Sequence, residues 1–322
     1  MKALKASIGV AVTALALSLL FGAPSWAAED EASILTKQMK ELYRAGKYME
    51  ALPLAQKSLA LREAELGPDD AKLAMPLNDL GTIHYNLGQY PVAEQFYKRS
   101  LALREKTPGQ DQPEFATGLN NLGDLYRAEG RYAEAETQLK RSIAIRGKAV
   151  GPDDPSIVQA VGNLAAVYSN QGRYQQAEPL YRRGLAILEK AHGPDDPEAT
   201  VLMSNLADAY IHRHRYADAE RLLKRAIAVT EKAFGPDHPD IAQAENNLAV
   251  LYARQRRNAE AERLFKRSVA TFEKTLGPNH PDLVDVLQNL AGFYKDQGRY
   301  ADAEQILGRS MAIRGKTRSA PI

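Results

Sequence analysis

Apolar residues along the chain recur at two scales: at helical spacing within short stretches, and above that with a strict 42-residue period. In the period around residue 245, Ile241, Leu248, Leu251 and Tyr252 fall on one helical face. This is the spacing of an amphipathic element that buries one stripe. Pro239 suits the first turn of that helix, where its missing N–H would go unbonded anyway, and Asp240 sets an acid near the positive helix end. In most periods a glycine closes this first helix (Gly88, Gly130, Gly172 and Gly298), supplying the left-handed turn that a Cβ resists. A second helix follows, as over residues 132–148. The linker Gly-Pro-Asp-Asp-Pro or Gly-Pro-Asp-His-Pro then ends the period and opens the next.

Whole columns of residues carry the period. Gly67, Gly109, Gly151, Gly193, Gly235 and Gly277 are each 42 apart; so are Tyr48, Tyr90, Tyr132, Tyr174, Tyr216 and Tyr300, with Asn258 standing in once. Three residues past that column runs a row of alanines: Ala51, Ala93, Ala135, Ala177, Ala219, Ala261 and Ala303. A second small row is Ser58, Ser100, Ser142, Gly184, Ala226, Ser268 and Ser310. Small residues in register predict helices that cross closely, because a bulkier side chain there would hold the pair apart. One helix pair cannot bury its apolar face alone, so the pairs must stack into a solenoid.

These residues resemble the tetratricopeptide repeat. Its pattern appears as Leu119, Leu122-Gly123, Tyr126, Ala135 and Leu139, and again as Leu77, Leu80-Gly81, His84, Ala93 and Tyr97. The usual period is about 34 residues. The longer one here, with Gly-Pro-Asp-His-Pro-Asp and Asn-Asn-Leu-Ala-x-Leu-Tyr, is similar to the kinesin-light-chain-type subclass. The resemblance implies an all-α fold, a right-handed superhelical solenoid of about seven antiparallel helix pairs. It would span residues 28–318 and leave a short tail at 319–322. It also implies a concave groove lined by the first helix of each pair, and a protein or extended peptide as the partner. The kinesin-adaptor role does not carry over, since it needs a long heptad coiled coil ahead of the repeats.

What precedes the repeats reads differently. Lys2 and Lys5, the uncharged stretch Ile8 to Phe21, Pro24 and then Ser25-Trp26-Ala27 have the layout of a secretory signal peptide over residues 1–27, with cleavage between Ala27 and Ala28. A helix over the apolar stretch would reach only ~21 Å against a hydrocarbon core of ~30 Å, so a retained anchor is disfavoured. The expectation is export to the periplasm, or secretion, with no transmembrane segment in the mature chain. The absence of cysteine excludes disulfides, thiol nucleophiles and thiolate metal sites. Without Lys2 and Lys5 the basic and acidic residues balance, which leaves no electrostatic footprint for a nucleic acid partner.

The candidate site follows from the leucine column Leu80, Leu122, Leu164, Leu206, Leu248 and Leu290. Positions −3, 0, +1 and +4 from it should face the core, and −2, −1, +2, +5 and +6 the groove. At −1 stand Asn121, Asn163, Asn205, Asn247 and Asn289, with Asp79 in an earlier repeat. Asparagine costs about 0.5 kcal/mol relative to alanine in a helix, so five in one column need a reason. Either their amides, donor and acceptor together, grip the backbone of an extended peptide, a use the resemblance supports, or they tie repeat to repeat. Both readings stand at this point. Arg127, Asn170 and Arg254, with Asn78, Tyr85, Asn120, Asp124, Asp208, His212 and Asn246, form a variable rim suited to selectivity. The pairs Glu94/Lys98, Glu136/Lys140, Glu178/Arg182, Glu220/Lys224 and Glu262/Lys266 read as a solvated outer face.

Nothing converges on catalysis. His212 and His214 point apart on a helix; His238 and His280 fall in linkers, and His84 takes a core tyrosine slot. There is no Gly-x-Ser-x-Gly, His-Glu-x-x-His or phosphate loop. The expectation is therefore a non-enzymatic peptide- or protein-binding scaffold of the cell envelope, with no cofactor and no metal. The alternative is a self-associating assembly subunit that docks through its terminal repeats, because Gly308 replaces the usual cation and Ile306, Leu307, Met311 and Ile313 lack polar cover there.

Overall fold

A computed structural model describes residues 25–106, 112–280 and 282–318 of the chain. These residues form fourteen α-helices and no strand. The chain divides into two compact units, up to Ala149 and from Val150 onward. The first holds α1 (Ser25–Arg44), α2 (Tyr48–Leu66), α3 (Ala74–Asn86), α4 (Tyr90–Glu105), α5 (Gln112–Ala128) and α6 (Tyr132–Val150), whose last residue marks the boundary. The second holds α7 (Val158–Asn170), α8 (Tyr174–His192), α9 (Ala199–His212), α10 (Tyr216–Phe234), α11 (Pro239–Arg254), α12 (Asn258–Leu276), α13 (Leu283–Asp296) and α14 (Tyr300–Arg318). In each unit consecutive helices pack as pairs, and each pair packs on the next, as in α2 on α3 and α10 on α11. The all-α stack of helix pairs expected from the columns is thus the fold observed. The apolar residues 8–21 and the rest of 1–24 lie outside the described residues; Ala27 and Ala28 lie in the first turns of α1. No described helix is long and apolar enough to cross a membrane.

The two small rows act as the packing argument requires, and one does more. Ala51, Ala93, Ala135, Ala177, Ala219 and Ala261 are fully buried. In the second row the serines also bond. The Oγ atoms of Ser58, Ser100, Ser142 and Ser268 donate to the backbone carbonyls of Ala32, Ala74, Ala116 and Ala242 at 2.6–2.9 Å, tying each second helix to its first. At Gly184 an added Cβ would lie 2.9 Å from Leu202, so there the row is glycine for space.

The turn between paired helices is left-handed throughout. Gly130 sits at φ 75°, while His214 and Arg256 hold the same turn at 57° and 60° without a glycine. The linkers share a cap. Asp70, Asp154 and Asp196 accept the backbone N–H two residues on at 2.7–3.0 Å, and His238 and His280 do the same through Nδ1 at 3.3 Å. An aspartate oxygen and an imidazole nitrogen serve as equivalent acceptors at the start of a helix, which accounts for the Asp/His alternation in the linkers.

Candidate binding face

The glutamates of the second helices are not a solvated outer face; they join one pair to the next. Glu94 on α4 accepts from the Tyr126 hydroxyl of α5 at 2.9 Å and from Arg131 in the following turn at 2.8 Å, besides its own-helix Lys98 at 2.7 Å. The Arg131 guanidinium also lies over the Tyr126 ring, 4.0 Å from its centroid. Its hydrogen bonds, ahead of those from Lys98 and Tyr126, hold the Glu94 carboxyl down to about 2. The same triad recurs as Glu178–Tyr210–Arg215, Glu220–Tyr252–Arg257 and Glu262–Tyr294–Arg299. The expected lysine and arginine partners at i+4 do pair, but they remain largely exposed while the glutamates are mostly covered. This organises the second-helix side as a seam between one pair and the next.

There the asparagine column separates residue by residue. In the first unit Asn121 Nδ2 donates to Asn78 Oδ1 at 3.1 Å, and its Oδ1 accepts from Asn120 at 3.3 Å. In the second unit Asn289 donates to Asn246 at 3.2 Å, and Asn247 Oδ1 accepts from Asn246 and Gln243 at 3.4 Å. Asn163 is engaged as well. Asn205, half-buried on α9, makes no hydrogen bond to any described residue. The cause is local: each inter-repeat bond reaches the residue 43 positions earlier, and for Asn205 that residue is Gly162, which has no side chain to offer. Asn120 and Asn246, expected on the rim at −2, are instead 3% and 1% exposed. Asn246 there accepts the Asn289 amide, while Asn120 donates to Asn121 beside it.

The remaining rim residues differ in how free they are. Arg127 is tied to Asp124 at 2.7 Å, and Tyr85 donates to the same carboxylate at 2.9 Å. Asn170 and Arg254 are exposed. His212 stacks flat on Tyr174 at 4.7 Å, with Asp208 3.7 Å from its Nε2. Burial pushes the Asp208 carboxyl up, opposed by His212 and Arg254. His84 is the core histidine expected, bonded through Nδ1 to Gln89 at 2.5 Å and stacked on Phe96. One group, His192, Asp196 and Glu198, brings three ligand-type atoms within 4.8 Å of one another. Its geometry is that of a linker brace: His192 Nδ1 lies 2.7 Å from one Asp196 oxygen, and the other oxygen caps Glu198.

A tetratricopeptide-repeat family model matches residues 31–106, 114–190, 197–274 and 240–316. The chain is a member of the tetratricopeptide-repeat family. Among solved structures, a Podosopora anserina protein of nearly identical TPR-like repeats, named for the kinesin light chain, is 26% identical with a TM-score of 0.52; the match covers 66% of this chain and 100% of that one. Aspartyl phosphate phosphatase F from Bacillus subtilis superposes with a TM-score of 0.72 at 13% identity, covering 93% and 74%. The Rap conjugation gene regulator of plasmid pLS20, solved with the Phr* peptide, gives 0.67 at 16%, covering 87% and 72%. At such identities the last two likenesses speak for the fold alone. No curated protein matches at a significant level.

Proposed function

We propose that this tetratricopeptide-repeat protein is a non-enzymatic scaffold that binds an extended peptide or protein segment on the faces of its first helices. The observation that carries the reading is Asn205, a half-exposed amide without a partner in a column whose other asparagines are engaged. A helix-interior asparagine that does not bond its neighbours is left with both amide functions for a ligand backbone. A fold neighbour solved with a peptide bound supports the capacity of this architecture for such a ligand. The chain acts in the cell envelope, exported by residues 1–27 and cleaved before Ala28. Mass spectrometry of protein from its native host tests the export: a first residue at Ala28 supports it, and an intact Met1 in a membrane fraction sinks it. Peptides retained from a periplasmic extract test the binding.

A second reading, self-association through the last repeat, is favoured by one observation. Leu307 and Met311 are 38% and 67% exposed, whereas Tyr97, Leu139, Tyr181, Leu223 and Phe265 in the Leu307 column are all buried. Ile313, expected bare, is buried as well, so the uncovered face is narrower than the sequence suggests. Light scattering on the purified chain separates the two readings, since a monomer at micromolar concentration counts against self-association.

A further inference from the structure

The first step of the asparagine ladder carries an acid. Asp79 on α3 occupies the column held elsewhere by Asn121, Asn163, Asn205, Asn247 and Asn289. An asparagine there would donate to the residue 43 positions earlier, Thr36. A carboxylate has no proton to donate, and the Thr36 hydroxyl has none to spare: it donates to the Ala32 carbonyl at 2.8 Å and shares a second contact with Ser58 at 2.9 Å. Asp79 is therefore left without a hydrogen bond or ion pair among the described residues, although it is only half-exposed. Its carboxyl is pushed up to about 6 by that burial, with only the attraction of Lys40 on α1 working the other way. Such a group is costly to keep charged, and the attraction of Lys40 offsets only part of that cost.

The neighbourhood is suited to a cation. Tyr43 on α1 lies close enough for the charge of Asp79 to raise its hydroxyl pKa, behind the larger effect of its own burial. Tyr85 on α3 packs beside Tyr90, 5.5 Å between ring centroids. Tyrosines fill the +5 position in these first two repeats, where Arg127 and Lys295 stand in later ones. The other acid of this face, Asp124, is already satisfied by Tyr85 and Arg127. Asp79 is thus the unmet charge, near the ring of Tyr43, whose face attracts cations.

Resting on the peptide-binding reading above, we infer that the first unit recognises a basic side chain, lysine or arginine, of the bound peptide through Asp79 and the neighbouring Tyr43. Asn205 in the second unit takes backbone and reads no side chain; Asp79 adds selectivity for charge. The mechanism is a charge-assisted bond formed in a partly desolvated place, where it is stronger than at an open surface.

The test uses the full mature chain and an array of extended nonapeptides in a Gly/Ser background, each carrying Lys, Arg, Glu or Leu at one position. Wild-type protein should hold the Lys or Arg members about five- to tenfold tighter than the Leu member at one position, the scale of one such bond. Asp79→Asn installs the residue of the other repeats and keeps the fold, which a thermal melt confirms. It should erase the basic preference while retaining the weaker, sequence-independent binding. A basic preference that survives in Asp79→Asn overturns the inference, as does wild-type binding with no basic preference. If no array member binds either protein, the peptide-binding reading itself fails, and this inference with it.

Discussion

Replacing Glu94 by alanine distinguishes a wet surface pair from a seam between repeats. If Glu94 only paired with Lys98 along α4, either Glu94→Ala or Lys98→Ala would cost about 0.3–0.5 kcal/mol. The structure gives the two residues different roles. Lys98 is largely exposed and pairs with the glutamate along its own helix, whereas Glu94 is the shared acceptor of Tyr126 and Arg131 from the next pair. Tyr126 is buried, so its hydroxyl would lose its partner where water is scarce. Arg131 keeps Glu129 and Glu134 and loses less. Bonds to a charged group are worth about 1.5–3 kcal/mol each; counting the tyrosine bond fully and the arginine bond at a fraction gives about 2–3 kcal/mol for Glu94→Ala. Urea unfolding followed by circular dichroism at pH 7 measures both variants. Because the folded pKa of Glu94 is depressed, its contribution is present above the unfolded carboxylate range and is lost as pH falls toward about 2. The difference between wild type and Glu94→Ala should therefore shrink in acid. Equal small losses in Glu94→Ala and Lys98→Ala at pH 7 would refute the seam.

Three further outcomes follow from single positions. Glu245 is buried in a column otherwise Leu77, Leu119, Val161, Met203 and Leu287, with Arg267 3.1 Å from one oxygen and no partner for the other. Burial raises its pKa, so its stability contribution is full below the unfolded carboxylate range and is lost as pH rises through the folded value. Glu245→Leu should stabilise by about 1–3 kcal/mol at pH 7.5 and by clearly less at pH 4.5, by analogy with buried ion pairs replaced by apolar groups; a gain that does not vary with pH in parallel urea titrations counts against this. Arg256→Gly relieves a left-handed residue and should raise stability by a net ~0.5 kcal/mol after the extra entropy of glycine is subtracted, whereas a lower urea midpoint contradicts the strain. Ala177→Leu, at a fully buried contact braced on both sides, should cost about 1–3 kcal/mol; Ala303→Leu, on the last pair, should cost less, and equal losses would argue against nearest-neighbour stacking.

The architecture was legible because it is written in columns. The alanine row, the tyrosine starts, the glycine turns and Pro239 at a first turn each state one local rule many times, and tertiary packing obeys that repetition. The ties between repeats were not legible, because they do not follow the period. The asparagine bonds step 43 residues, the Glu–Tyr bonds 32 and the Glu–Arg bonds 37. Each therefore joins two different columns, and only the stacking brings those together. For this reason one asparagine column holds a bonded Asn121 and an unbonded Asn205, depending on whether residue 78 or residue 162 stands opposite. The same offset makes the buried Asn246 the acceptor of Asn289.

The central claim is that the first-helix face binds a peptide through side chains the fold does not itself use. Its most direct measurement is the affinity and stability of Asn205→Ala beside Asn121→Ala, by calorimetric titration of a peptide retained in the extract experiment and by urea unfolding. Asn205→Ala should weaken binding by roughly two- to tenfold, the worth of one hydrogen bond at about 0.5–1.5 kcal/mol, with an unchanged urea midpoint. Asn121→Ala should lower the midpoint, since it breaks a bond between repeats. Unchanged affinity in Asn205→Ala, or a loss of affinity that appears only together with a loss of stability, would contradict the account.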